Sequence, residues 1–307
     1  MEIKYRVPQD SQGRKLQNVL RTDMQLSASM VRRLKRADGI FVDGKSQYTN
    51  YILRGGETIT ADLSRAEPEC DNVPQDGTLD ILYENEGILL VNKPSGMITH
   101  PSRAQYMDTL SNYVAGYLKR TTGHGTCHSV NRLDRGTSGI VLFAKNSFYM
   151  TRAIESLKKD DAFKEYIAIV LGSFPEEEGT IDLPIYRPDD RDIIRTVDSR
   201  GQKAVTHYKT IKKGVIAGEI VSQVSFILET GRTHQIRVHC LHSGCPILGD
   251  NMYFTQRSSE LSSTLGISPQ ALHAFHMGFC DPVSGKFLDI CADIKRPDMI
   301  AALESME

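Results

Sequence analysis

Residues 140–144, Ile-Val-Leu-Phe-Ala, are apolar at every position and directly follow a polar, glycine-bearing stretch, His128 to Gly139. A strand-sized run without alternation belongs to a strand covered on both faces, so it reads as the centre of a sheet fed by a functional loop. No run in the chain approaches the roughly 18 apolar residues of a membrane span. The opening MEIKYRVPQD has neither an apolar core nor a small-residue cleavage site, so no signal peptide is expected. A hydrophobic fraction of 40% excludes disorder, collagen and coiled coil as the main state.

Periodicity places the other elements. Leu16, Val19, Leu20 and Met24 recur at helical spacing. Met30, Val31 and Leu34 mark a second helix, capped by Ser27 or Ser29 and closed by Gly39. Residues 40–42 read as a strand, Asp43-Gly44 as a hairpin turn, and 52–53 and 58–60 as further short strands. The spacing predicts a unit of two helices and a small sheet over residues 1–62. Residues 63–78 are polar, acidic and proline-bearing and read as a linker. Beyond it, strands are expected at 79–83, 88–92, 139–145, 163–171, 179–185, 203–212, 217–229, 272–280 and 286–292. Helices are expected over 106–118, from Asn146 or Ser147 to Leu157, over 233–242, and from Pro297 onward. Strands and helices that intersperse without alternating imply an α+β fold with a mostly antiparallel sheet over 79–307.

Charge is uneven. Residues 1–62 hold 11 Lys/Arg against 7 Asp/Glu, the following 16 residues have a net charge of −3, and the remainder is near neutral. Arg32, Arg33, Lys35 and Arg36 take the outward positions of the second helix. A basic front end points to an anionic partner or to a solvated helix face, and charge alone does not choose. The six cysteines form no C-x-x-C pair, which suits reduced thiols in a cytoplasmic protein.

Two segments carry chemistry. In His128 to Gly139, Asp134 stands between Arg132 and Arg135 ahead of Gly-Thr-Ser-Gly. It either closes a local Asx-type turn or is a functional carboxylate kept ionised by guanidinium groups; spacing leaves both open. In Gly231 to His239, two arginines and two histidines fall within about two helical turns. Cys240, His242 and Cys245 lie close by without zinc-type spacing, so polar packing is expected there and no metal. No dinucleotide or phosphate-loop motif is present.

Together these segments resemble one family. Asn131 to Gly139 is similar to the catalytic loop of RluA-type pseudouridine synthases, Lys164-Glu165-Tyr166 to that family's Lys-x-Tyr strand, and Gly231 to His239 with Gly244 to Asp250 to its third motif. Val91 to Gly96 resembles its first strand and Leu272-His273-Ala274 a late one; residues 14–60 resemble the small S-four RNA-binding domain. The resemblance spans about residues 79–292 in the family's order. It implies an α+β, mostly antiparallel mixed-sheet catalytic domain behind a small α/β domain, and isomerisation of uridines in structured RNA without cofactor or metal. It implies that Asp134 is the essential carboxylate, acting on the sugar as nucleophile or as base, with Arg237 as its partner. Tyr166 would lie against the uracil, Arg132 would enter the RNA where the target base leaves, and Arg32, Arg33, Lys35 and Arg36 would face phosphates. The implied partner is RNA, ribosomal in preference to transfer RNA, for a cytoplasmic monomer. One departure is Asn131, where the family often has His. Two other classes compete: an RNA-binding assembly factor without catalysis, and a hydrolase pairing Asp134 with a histidine.

Overall fold

The computed structural model describes residues 1–67, 72–102, 104–189 and 193–306. Part of the expected linker, 68–71, lies outside them, and Cys70 with it. The N-terminal part contains β1 (Glu2–Arg6), α1 (Leu16–Thr22), α2 (Ala28–Arg36), β2 (Ile40–Val42), β3 (Lys45–Ser46) and β4 (Thr58–Asp62). Its antiparallel sheet runs β1-β4-β2-β3. Asp43 and Gly44 both take positive φ, as a tight hairpin between β2 and β3 requires. Ser27 caps α2 by accepting the Met30 amide at 3.2 Å. The sequence reading lacks β1, whose two apolar residues, Ile3 and Tyr5, give too short an alternation to register. Residues 52–53, expected as a strand, make only an isolated bridge from Ile52 to Lys15.

The larger part contains β5 (Ile81–Glu84), β6 (Ile88–Lys93), α3 (Leu110–Thr122), β7 (His128–Ser129), β8 (Ser138–Ala144), α4 (Ser147–Ser156) and β9 (Phe163–Leu171). There follow β10 (Glu178–Asp182), a ribbon of β11 (Ile185–Tyr186) and β12 (Thr196–Val197), β13 (Val205–Ile216), β14 (Glu219–Leu228) and α5 (Gln235–His242). The chain ends with α6 (Gln256–Leu265), β15 (Leu272–Cys280), β16 (Phe287–Cys291) and α7 (Pro297–Glu304). The large sheet runs β10-β13-β14-β9-β15-β8-β6-β5, with β16 on β15 and β7 on β8. Its described pairings are antiparallel except β15 with β8. The class is therefore α+β. Val141 and Phe143 of β8 pack in one core with α3, α5 and α7, while Ile140 and Leu142 pack in another with Ala153 of α4. Helices on both faces explain the unbroken apolar run.

Two helices differ from expectation. A capping box between Thr109 and Asn112 starts α3 at Leu110, so Tyr106 lies outside the helix and is exposed. The serine-rich α6 has little apolar periodicity and is set instead by a second capping box, Thr255 with Ser258.

The two parts are packed together. Val7, Leu20, Leu34 and their neighbours share a core with Ala144, Phe148 and Tyr149. The expected linker is not a free tether along its described residues: Ala66 is buried, and the Gln75 amide donates to Asn112 O at 3.0 Å. Arg33 is a correction to the outward face. Its Nε donates to Ala66 O at 2.8 Å and its Nη2 to Ser147 Oγ at 2.7 Å. Arg33 stands one turn after buried Met30, so its long side chain reaches over the edge of the packed face. Arg32, Lys35 and Arg36 are exposed. No helix among the described residues is long and apolar enough to cross a membrane.

Candidate active site

The loop before β8 is cast against residues 93–99. Thr99 Oγ1 donates to Leu133 O at 3.1 Å, Gly96 N to Arg135 O at 2.8 Å, and Ser95 Oγ to Gly136 O at 2.7 Å. Lys93 ends β6 fully buried, and its Nζ donates to Pro94 O (3.0 Å), Met97 O (2.7 Å) and Arg135 O (3.2 Å). Three carbonyls match the three donors of an ammonium. At Gly139 the φ is +110° and an added Cβ would lie 2.2 Å from Ala274 O, so β8 can pass this close to β15 only as glycine. Asn131 bonds β8 from the side, accepting the Leu142 amide at 2.7 Å and donating to Ile140 O at 3.2 Å. In this fold the family's departure residue is a backbone clip for the loop.

Burial pulls Lys93 down to about 7, against the attraction of Asp134. The unfolded lysine keeps its proton to about 10.4, so between these values unfolding takes up a proton and stability rises with pH. Lys93→Met is expected to remove that rise when denaturation midpoints are compared between pH 6 and about 10. A variant profile parallel to that of wild type would contradict it.

Arg237 is buried in α5, where Gln235 and His239 are buried too, each with polar partners. Its Nε and Nη2 donate to Asp250 at 2.6 and 2.7 Å, and its Nη1 donates to Asp134 Oδ2 at 3.1 Å. The Asp250 side chain is 0% exposed and also accepts the amides of Met252 and Tyr253. Asp250 therefore fixes the guanidinium, and the guanidinium presents its free edge to Asp134. The Asp134 carboxylate makes no local turn bond; only its backbone carbonyl accepts from the Thr137 amide. The Asx-type alternative is set aside. His234 caps α5 with φ +59°, places Nε2 3.8 Å from Asp134 Oδ2, and pairs Nδ1 with Tyr253 OH at 2.8 Å. Burial pushes its pKa down, against the attraction of Asp134. His234, Asp250, Tyr253 and Lys93 received no site role from the sequence. The only signal was position: Lys93, His234 and Asp250 fall inside matched motifs.

An open cleft is lined by Asp134, Arg237, Tyr166, Arg132, Leu228 and Leu272, among others. Tyr166 projects from β9 in a row that reads Phe226, Tyr166, Ala274, Gly139 across four strands. Two small residues thus follow the ring across the sheet. The Tyr166 hydroxyl makes no hydrogen bond among the described residues, and burial with the charge of Asp134 pushes its pKa well up. Arg132 is exposed at the rim. Beside the cleft, Arg187, Arg195, Arg200 and Arg232 line a groove that has no carboxylate in its lining among the described residues. Asp198 pairs with Arg200 from outside it, and that guanidinium lies 4.4 Å above the Tyr186 ring. Asp134, Tyr166, Arg237 and Arg132 are brought together. Arg32, Lys35 and Arg36 do not line the cleft; they stand on α2 of the N-terminal part.

Cys240 and Cys245 are buried, and burial raises both thiols, Cys245 to about 11. Among the described residues no three His, Cys, Asp or Glu side chains converge as metal ligands. Activity is expected to survive exhaustive chelation; stoichiometric zinc whose removal abolishes turnover would contradict this.

The sequence matches the family described as RNA pseudouridylate synthase over residues 87–242. It is 34% identical to ribosomal large subunit pseudouridine synthase D of Buchnera aphidicola, over 92% of this chain and 91% of the relative. It is 37% identical to ribosomal large subunit pseudouridine synthase D of Zymomonas mobilis, over 80% of this chain and 78% of the relative. Among solved structures it resembles human RNA pseudouridylate synthase domain containing 1, with a TM-score of 0.58 and 26% identity, covering 76% of this chain and 89% of that one.

Proposed function

The chain belongs to the RNA pseudouridylate synthase family and is an RluA-type RNA pseudouridine synthase, and on that premise we propose that Asp134 is its essential carboxylate and large-subunit ribosomal RNA its substrate. The observation that carries the first half is the 3.1 Å contact between Asp134 and an Arg237 whose other edge is tied to buried Asp250. Isomerisation breaks the bond from sugar C1′ to uracil N1 and forms one from C1′ to C5. The C5 hydrogen leaves as a proton and N1 gains one, so the reaction needs no oxidant and no leaving group departs. Attack on C1′ and removal of a sugar proton both require Asp134 as carboxylate, and Arg237 supplies the adjoining positive charge. Tyr166 stacks on the uracil, and Arg132 fills the place the base vacates, offsetting part of the few kcal/mol that extrusion costs. The neighbouring arginine groove receives the phosphates that flank the target.

Ribosomal RNA is favoured by the relatives, which are named as ribosomal large subunit pseudouridine synthases. We assign residues 1–62 to RNA anchoring, 63–78 to the connection and 79–307 to catalysis, in a cytoplasmic monomer. Replacing Arg32, Lys35 and Arg36 together is expected to reduce the log-log salt slope of RNA binding by about 2 to 3 units, since each phosphate contact releases a counterion. An unchanged slope would leave this face merely solvated. Substitution tests the small domain better than deleting residues 1–62, which would uncover Phe148 and Tyr149. The activity itself is tested by mapping pseudouridines in total RNA with and without this protein.

A further inference from the structure

Resting on that reading, we propose that Glu67 and Ser147 lock the small domain in one orientation. The enzyme then selects RNAs that present a structured element at a fixed distance from the target uridine. Four parts of the chain meet at one polar knot. Glu67 accepts the Ser147 amide at 3.0 and 3.2 Å and the Ser147 hydroxyl at 3.1 Å. This is the first turn of α4, where amides lack helical partners and a carboxylate is favoured. Glu67 Oε1 also lies 2.6 Å from His128 Nε2 of β7. From α2, Arg33 reaches the same Ser147 hydroxyl at 2.7 Å. The Glu67 side chain is only 11% exposed. Beside the knot, Phe148 and Tyr149 enter the small-domain core. An interface with buried polar bonds and shared apolar packing restrains domain motion as a flexible tether cannot.

The lock has a length. β8 begins four residues after Asp134 and ends three before Ser147. At about 3.3 Å per residue its seven residues span about 20 Å. Arg32, Lys35 and Arg36 ride on the helix that Arg33 ties to the far end of this strand. One RNA must therefore reach phosphates on α2 and place a uridine at Asp134 across roughly the length of β8. A structured RNA meets both surfaces at once, whereas a short stem-loop carrying only the target meets one. Glu67 and Ser147 are positioning residues, remote from the reacting atoms.

The test compares wild type, Glu67→Ala and Glu67→Gln on a long ribosomal RNA fragment and on a short stem-loop with the same target. Glu67→Ala is expected to raise KM on the long RNA by about tenfold, because a loosened link lowers the effective concentration of the second contact. Its kcat on the long RNA, and both constants on the stem-loop, should stay at wild-type values. Glu67→Gln keeps an acceptor for the Ser147 amide and should fall between. Equal KM changes on both RNAs, or none on the long one, would overturn the proposal. Should Glu67→Ala fail to fold, Glu67→Gln and Ser147→Ala decide it by the same ratio. Dissociation constants separate this claim from the enzymatic one. A wild-type protein that binds without turnover contradicts the synthase reading, whereas equal Kd values for wild type and Glu67→Ala on the long RNA contradict the lock.

Discussion

Asp134→Asn is expected to lower pseudouridine formation by at least about a thousandfold, since a group acting on the sugar has no substitute once removed. Among the described residues no second carboxylate is available to take over: Asp250 spends both oxygens on Arg237 and one of them also on the Met252 and Tyr253 amides. The fold should survive. Asp134 is 30% exposed and, among the described residues, its side chain makes one hydrogen bond, to Arg237, which keeps two bonds to Asp250. An amide oxygen can still accept that bond, so the stability change should stay within about 1 kcal/mol. RNA binding should be nearly intact, because the phosphate contacts proposed above lie elsewhere. Tritium release from C5-labelled RNA measures turnover. Activity within tenfold of wild type would remove Asp134 from the mechanism.

Asp250→Ala should act in the opposite manner, through structure first. It strips a buried guanidinium of its two shortest bonds and leaves only the partly exposed Asp134 as counter-charge. Breaking a buried pair from one side costs about 3 to 5 kcal/mol. Asp250→Asn keeps an acceptor for the Met252 and Tyr253 amides and should cost less. Both variants should lose kcat through a displaced Arg237, even at temperatures where they remain folded. Urea denaturation with single-turnover kinetics on the same preparation checks this. Full kcat in a folded Asp250→Ala protein would show that Arg237 needs no such brace.

The elements set by local rules were legible in the sequence. The bounds of β9 and β15, the Asn146 cap of α4 and the proline start of α7 follow from apolar pattern, capping and backbone chemistry. The loop at Asp134 and the helix at Arg237 also stood out, through resemblance; that they meet across 103 residues is a tertiary fact. What escaped were residues whose meaning depends on distant partners. Lysine is ordinarily exposed, so nothing local marks Lys93 as buried under three carbonyls. Arg33 looks like Arg32 and Lys35 until Ser147, 114 residues away, takes its guanidinium. Phe148 and Tyr149 fit the pattern of a helix serving its own sheet, yet they pack into the small domain. An acidic, proline-bearing stretch reads as a linker by composition, and only the α4 N-terminus reveals Glu67 as a clamp.

The central claim is that the cleft at Asp134 makes pseudouridine in ribosomal RNA. The most direct measurement is a pseudouridine map of total RNA from cells lacking this protein, complemented with wild type or with Asp134→Asn. The account predicts that one or more large-subunit ribosomal sites disappear without the protein, return with wild type, and stay absent with Asp134→Asn. A map unchanged by loss of the protein, or sites restored by Asp134→Asn, would contradict it.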